Sequence, residues 1–196
     1  EDKIEEAKAQ YQALFTKLKD SYESDSLLPG IVQTRYALLC LYEKRLNDAM
    51  RSLEIGLGAL QKHSLIEEIY LAYFGFGELA RLKNNYSEAI KNYHTSHQYA
   101  SNLLAYIYFP EIVDGIAKTK CLQLSFYKAA GLFGSSDALR KKFGIVIHPV
   151  DRPDYDKHIE LLKSQMSAEQ FESAWAEGAK MSIEEMSAFA MQEDEQ

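Results

Sequence analysis

The sequence predicts an all-α chain built from stacked helical hairpins, and three observations predict it. Small and large residues recur together at a period of forty, apolar residues run at helical spacing almost throughout, and strand-like alternation is almost absent. The recurrence is clearest at four positions. One small position reads Ala37, Gly77 and Ala117, and a second reads Ala49, Ala89 and Ala129. A large position reads Leu53, Tyr93 and Phe133, and a third small one reads Gly56, Ser96 and Ser136. Small residues let neighbouring helix backbones approach, and the large residue fills the groove so made. A single hairpin cannot bury its apolar face alone, so the repeat implies a stack. With 196 residues, 46% hydrophobic and four prolines, the chain is long enough for three to four hairpins and a cap.

The elements follow in order. Ile4-Glu-Glu-Ala7 and Tyr11 copy the pattern of Tyr86-Ser-Glu-Ala89 and Tyr93. A helix over 1–22 is therefore expected as the second half of a repeat whose first half lies upstream in a longer protein; an ordinary capping helix is the alternative. Glu23 to Gly30 is a polar loop ending in Pro-Gly. Three hairpin repeats are expected over 28–144. Their helix pairs run from Ile31 to Lys44 and Asn47 to His63, from Leu65 to Lys83 and Tyr86 to Ala105, and from Glu111 to Leu122 and Tyr127 to Phe143. Asn84-Asn85 signals the tight turn of the middle pair. Pro110 suits the first turn of its helix, where a missing amide donor costs little, and Gly144 suits a left-handed stop.

A connector with two prolines, 145–154, leads to a helical cap over 155–191. Its helices are expected from Tyr155 to Ser164, from Ala168 to Lys180, and beyond Ser182, with Glu185 completing a capping box. Phe171, Ala174, Trp175 and Gly178 fall at helical spacings on one face, which would close the stack with Trp175 as its largest plug. The tail 192–196 is acidic.

A net charge of −7 and a pI near 5.3 argue against direct contact with nucleic acid phosphates. No run approaches eighteen apolar residues and no signal-peptide pattern opens the sequence, so no membrane association and a cytoplasmic location are expected. Cys40 and Cys121 lie inside first helices and read as buried thiols in a reducing compartment. His94 and His97 stand three apart on one helix but have no third ligand at motif spacing. Gly75-Phe-Gly77-Glu-Leu-Ala80 imitates a dinucleotide fingerprint without the strand that must precede it. His148, Asp151 and His158 have no nucleophile motif beside them, and Glu5-Glu6 and Glu67-Glu68 point apart on their helices. No catalytic residue, metal site or cofactor is expected.

Two resemblances add to this reading. Laid against the 34-residue tetratricopeptide pattern, Gly77 falls on the small residue of the first helix, Ala89 on that of the second, and Tyr93 on the large residue after it. The unit resembles a tetratricopeptide repeat, which implies a right-handed superhelix of such hairpins. Further on, Lys128-Ala-Ala-Gly-Leu-Phe-Gly-Ser-Ser-Asp-Ala-Leu-Arg140 is similar to the "AARLLGAAEALR" motif of one bacterial family. Tyr155 and the run Phe171-Glu-Ser-Ala-Trp175-Ala-Glu-Gly178-Ala-Lys-Met-Ser182-Ile-Glu-Glu185 are similar to its closing "F-x-x-A-W-A-E-G-x-x-L-S-x-E-E-A". That family is the tetratricopeptide-like C-terminal arm of bacterial multidomain signalling proteins: LuxR-type and AfsR-type transcriptional regulators with a STAND-type ATPase core, and relatives fused to kinases or cyclases. The resemblance covers about Ile31 to Met191. Met181 replaces the usual leucine, Met186 the usual alanine, and alanine and arginine are far scarcer.

The resemblance implies a non-catalytic sensor or protein-interaction arm that binds a peptide, protein or small effector in a concave groove. The alternative is a free-standing adaptor or chaperone-like peptide holder. Groove-facing positions map to Thr34, Leu38, Leu41 and Tyr42 in the first repeat, Leu71, Phe74, Glu78 and Arg81 in the second, and Asp114 and Lys118 in the third. Aromatic residues gather beside them in Tyr70, Tyr73, Phe74 and Phe76 and in Tyr106-Ile-Tyr108-Phe109. Charge reversal at Arg81 combined with Phe74→Ala is expected to abolish partner capture and leave the melting temperature nearly unchanged. An exposed face at the N-terminal repeat is expected to make the isolated segment self-associate.

Overall fold

The computed structural model describes residues 27–63, 65–102 and 106–192, with residues 6, 9–11, 13, 14 and 17 of the opening segment. The opening helix expected over 1–22 lies outside the described residues except for those seven, which are helical, and the tail beyond Gln192 lies outside them too. All regular structure among the described residues is helical: α1 Leu27–Tyr42, α2 Leu46–Lys62, α3 Ile66–Leu82, α4 Tyr86–Asn102, a 3-10 turn Tyr106–Tyr108, α5 Phe109–Leu122, α6 Phe126–Phe143, α7 Arg152–Gln165, α8 Ala168–Ala179 and α9 Ile183–Met191.

Three pairs, α1–α2, α3–α4 and α5–α6, are hairpins with the same turn. The residue in the left-handed region is Lys44 (φ 61°), Asn84 (φ 60°) or Leu124 (φ 65°), each forty residues from the next. The following amide donates back across the helix end in each: Arg45 N to Cys40 O at 2.8 Å, Asn85 N to Ala80 O at 2.9 Å, Ser125 N to Lys120 O at 2.9 Å. These bonds, with those from the left-handed residue itself to Leu41, Arg81 and Cys121, make a Schellman stop that satisfies the last carbonyls of the first helix. Three connecting residues leave the two helices no geometry but antiparallel contact.

All twelve residues of the four repeating positions are buried. The large side chain of each second helix reaches the first helix of the next hairpin. A Cβ on Gly75 would lie 2.7 Å from the Leu53 side chain, and one on Gly115 only 2.6 Å from the Tyr93 ring, which also lies 2.6 Å from a Cβ placed on Gly77. Phe133 meets Tyr155 edge to face, with centroids 5.1 Å apart. Residues 75, 115 and 155 are again forty apart. The register therefore continues into α7, which occupies the place of a fourth first helix: α1 packs on α3, α3 on α5 and α5 on α7.

The sequence reading needs two corrections here. Helix α1 begins at Leu27, so the Leu-Leu-Pro-Gly end of the expected loop is helical. Pro29 sits in the first turn, where no amide donor is missed, and Gly30 is pressed against α2, a Cβ there falling 2.8 Å from that of Ala59. At the other end, α8 packs on α6 through the expected face, yet Trp175 is only half-buried beside Phe171, while Ala174 and Gly178 are buried. The backbones come too close for an indole between them: a Cβ on Gly178 would lie 1.8 Å from Gly131 O, and one on Gly134 2.2 Å from Trp175 O. Small residues make the plug. Ser182 and Glu185 form the expected capping box of α9, and Ser167 and Gln170 form a second one on α8.

Candidate binding groove

The first helices α3, α5 and α7 present groove positions at spacings of four, so each contributes two or more side chains to one line. Read at forty residues, one column is Thr34, Phe74, Asp114 and Asp154, and the other is Leu38, Glu78, Lys118 and His158. Asp154 is absent from the sequence reading, and His158 enters it only as a discounted catalytic candidate, not as a groove residue. The prolines after Gly144 look like the end of the repeat, although the forty-residue spacing carries on past them.

Where these columns meet, two buried cations share partly exposed carboxylates. Arg81, 6% exposed, donates to Glu78 Oε2 at 2.5 Å and reaches Asp154 Oδ2 at 3.3 Å. Lys118, 7% exposed, holds the same Asp154 oxygen at 3.0 Å. The Tyr93 hydroxyl donates to Glu78 Oε1 at 2.6 Å, and His158 Nδ1 lies 2.7 Å from the Asp154 carbonyl, which places the ring proton on Nδ1. Beside this cluster, Asp114 accepts from Arg140 at 2.5 Å and from Ser136 Oγ at 2.6 Å. The Tyr155 ring lies under Arg140, 5.6 Å from its guanidinium carbon.

The electrostatics follow from this arrangement. Burial alone would raise the Glu78 and Asp154 carboxyls. The charges of Arg81 and Lys118 outweigh it and bring each down to about 2. Burial would lower the Lys118 ammonium, but Glu78, Asp154 and Asp114 raise it instead. His158 is lowered, chiefly by burial, and Asp154 only partly offsets this. The cluster thus sets the cations Arg81 and Lys118 against the anions Glu78 and Asp154. A buried charge pair adds little over an apolar pair of the same shape, whereas removing one partner costs ~3–5 kcal/mol. Such a cluster specifies an arrangement more than it adds stability.

The ten groove residues read from the sequence divide accordingly. Phe74, Glu78, Arg81, Asp114 and Lys118 come together in this region, and Phe74 tilts against Tyr93 at 6.0 Å. Leu71 is buried in the same core, Leu41 belongs with a smaller one around Ala37 and Leu53, and Leu38 is partly buried against both. Tyr42 is exposed. Thr34 lies elsewhere: fully buried, its hydroxyl bonds Gly30 O at 3.0 Å, and Gly56 of α2 packs against it. Thr34 faces its own hairpin partner, not a groove. The expectation that Arg81 and Phe74 could be changed without loss of stability also fails, since both are buried and Arg81 is ion-paired.

The aromatic residues flagged in the sequence form stacked pairs, Tyr70 on Tyr108 at 4.4 Å and Tyr73 on Tyr99 at 5.6 Å. His97 is buried 4.4 Å from Phe109, its Nε2 3.0 Å from Ser187 Oγ, whereas His94 bonds Gln98. Cys40 and Cys121 are free and buried, and burial pushes the Cys121 thiol up to about 12. Among the described residues, no group of three or more His, Cys, Asp or Glu is placed to hold a metal ion, and no helix is long and apolar enough to cross a membrane. Away from the groove, a shallow depression of about 260 Å³ lies on α1 and α2 between Tyr36, Arg51 and Ile55. Comparison with protein-family models, with curated proteins and with solved structures gives no match to this chain.

Proposed function

We propose that the chain is a non-catalytic, tetratricopeptide-like arm, coiled as a right-handed superhelix, that binds a protein, peptide or small effector along its row of first helices. The observation that carries this reading is the row itself. Three first helices, α3, α5 and α7, in one forty-residue register bring Phe74, Glu78, Asp114, Lys118, Asp154 and His158 together, and charged residues prevail where packing alone calls for apolar ones. Core packing does not require a lysine and an arginine, each under a tenth exposed, to share one aspartate. Specific polar groups on a rigid scaffold are what recognition requires.

The motifs ending at Arg140 and Glu185 support placing the arm in a larger bacterial signalling or transcriptional regulator, where its occupancy would bias a neighbouring ATPase, kinase or DNA-binding module. The test is to read the coding DNA on both sides of the chain. An uninterrupted frame encoding a P-loop with a helix-turn-helix, kinase or cyclase domain supports the arm. A start codon immediately before Glu1 and a stop after Gln196 would overturn it in favour of a free-standing adaptor.

A further inference from the structure

We infer that α7 is an internal ligand of the groove, a strap whose Asp154 holds the seat between Arg81 and Lys118 until an acidic peptide brings its own carboxylate there. The inference rests on the groove being the binding face and adds how that face is regulated.

Three observations converge on α7. The first is its position. Asp154 and His158 stand at the groove columns of the fourth first helix, and Asp154 makes contacts that reach back 73 residues to Arg81. The second is how lightly α7 is held otherwise. Of its residues only Tyr155, His158 and Leu162 are buried, Ile159 and Leu161 are partly covered against the main core, and non-helical chain flanks it at 145–151 and at Met166–Ser167. The far end of the stack is closed without it, because α8 packs directly on α6 through Gly131, Gly134 and Gly178. A helix with few buried apolar groups, tethered at both ends, opens at lower free energy than the helices around it.

The third observation sets the chemistry of the replacement. With α7 away, Arg81 keeps Glu78, but Lys118 has Asp154 as its one ion-pair partner within 4.0 Å among the described residues. Its ammonium would lose its one direct carboxylate contact and keep Glu78 and Asp114 as counter-charges only beyond 4.0 Å, so Arg81 and Lys118 together would outnumber Glu78 there until another carboxylate arrives. A partner therefore gains most by presenting an Asp or Glu side chain, or a chain terminus, at the position Asp154 leaves.

Hydrogen exchange tests the strap with no partner present, so its failure and a failure of the groove reading are separable. In the wild-type chain the α7 amides should exchange at least ~tenfold faster than those of α5, and faster again in 1 M salt, which screens the half-exposed Asp154. Asp154→Asn should speed α7 by a further ~tenfold while α5 and α8 hold their rates. A fluorescent synthetic peptide with the sequence of residues 151–165 should then bind the Asp154→Asn protein at least ~tenfold more tightly than wild type. The same peptide with its own Asp154→Asn change should not bind. One shared exchange rate for α5 and α7 in the wild-type chain overturns the inference, whatever the variant does. So does an Asp154→Asn protein that keeps its α5 protection and fails to take up the peptide.

Discussion

Replacing Leu124 by glycine should stabilise the protein. Leu124 occupies the left-handed region at φ 65° with its side chain 73% exposed, so it pays a backbone penalty with little burial to offset it. That conformation costs an L-residue ~1–2 kcal/mol, and glycine, which adopts it freely, returns ~0.5–1 kcal/mol of this through the greater freedom of the unfolded chain. The net gain expected is ~0.5–1 kcal/mol, or about 1–4 °C in melting temperature for a chain of this length. Lys44→Gly should behave alike at the equivalent turn. Asn84→Gly should gain less, because asparagine already tolerates the left-handed region. Urea midpoints and thermal melts by circular dichroism of the three single variants give the ranking. A loss of stability in Leu124→Gly, or a larger gain in Asn84→Gly, would refute the claim that one turn geometry is used three times.

Further outcomes can be checked with the same equipment. Gly178→Ala should lose ~3 kcal/mol or more, seen as a lowered urea midpoint, because its methyl would lie 1.8 Å from the Gly131 carbonyl oxygen where two backbones, not flexible side chains, must move. His97 is lowered to about 4 by burial against Phe109, with His94 adding slightly. Its folded value lies below its ordinary one near 6.5, so the stability it confers is complete above about pH 6.5 and is lost as pH falls toward about 4. Urea midpoints at pH 7.5 and pH 5 should show this slope reduced in His97→Gln. Glu78 and Asp154, held at about 2, act in a lower window: their contribution is lost as pH falls from about 4 through about 2. Cys121 should resist a thiol reagent at pH 8 in the native protein and react at once in denaturant; fast native labelling would show that α5 is not buried at that point.

How far the sequence could be read depended on whether local chemistry or distant chain decided the outcome. The hairpins were legible because Ala37, Gly77 and Ala117 and their fellow positions repeat in the chain itself, and every one is buried. Of the three identical turns only Asn84-Asn85 carries turn chemistry. Glu43-Lys44-Arg45 and Gln123-Leu124-Ser125 give no such signal, and only the register places them. The start of α1 was misplaced because Pro29-Gly30 reads as a break, whereas proline in a first turn breaks nothing.

The charged cluster was legible only in part for a related reason. Phe74, Glu78, Arg81, Asp114 and Lys118 were found from their spacing, but charged residues suggest a surface open to solvent. Arg81 and Lys118 are buried with a shared partner, Asp154, which comes from a helix beyond a proline-bearing connector and which no local pattern points to. Thr34 shares the column by number, yet Gly56 lets α2 close over it. Trp175 drew notice by size, whereas the glycines at 131, 134 and 178 decide how close α8 can come.

In the proposed strap the space between the first helices is filled from within, by the Asp154 carboxylate on buried Arg81 and Lys118. A double-mutant cycle between Lys118→Met and Asp154→Asn, read from urea unfolding, tests it most directly. With the ammonium 3.0 Å from the carboxylate oxygen and the aspartate side chain 40% exposed, the account predicts a coupling of ~1–2 kcal/mol, above that of a surface pair. Additive effects, with a coupling within ~0.3 kcal/mol of zero, would mean that the two groups do not meet in solution and would contradict the account.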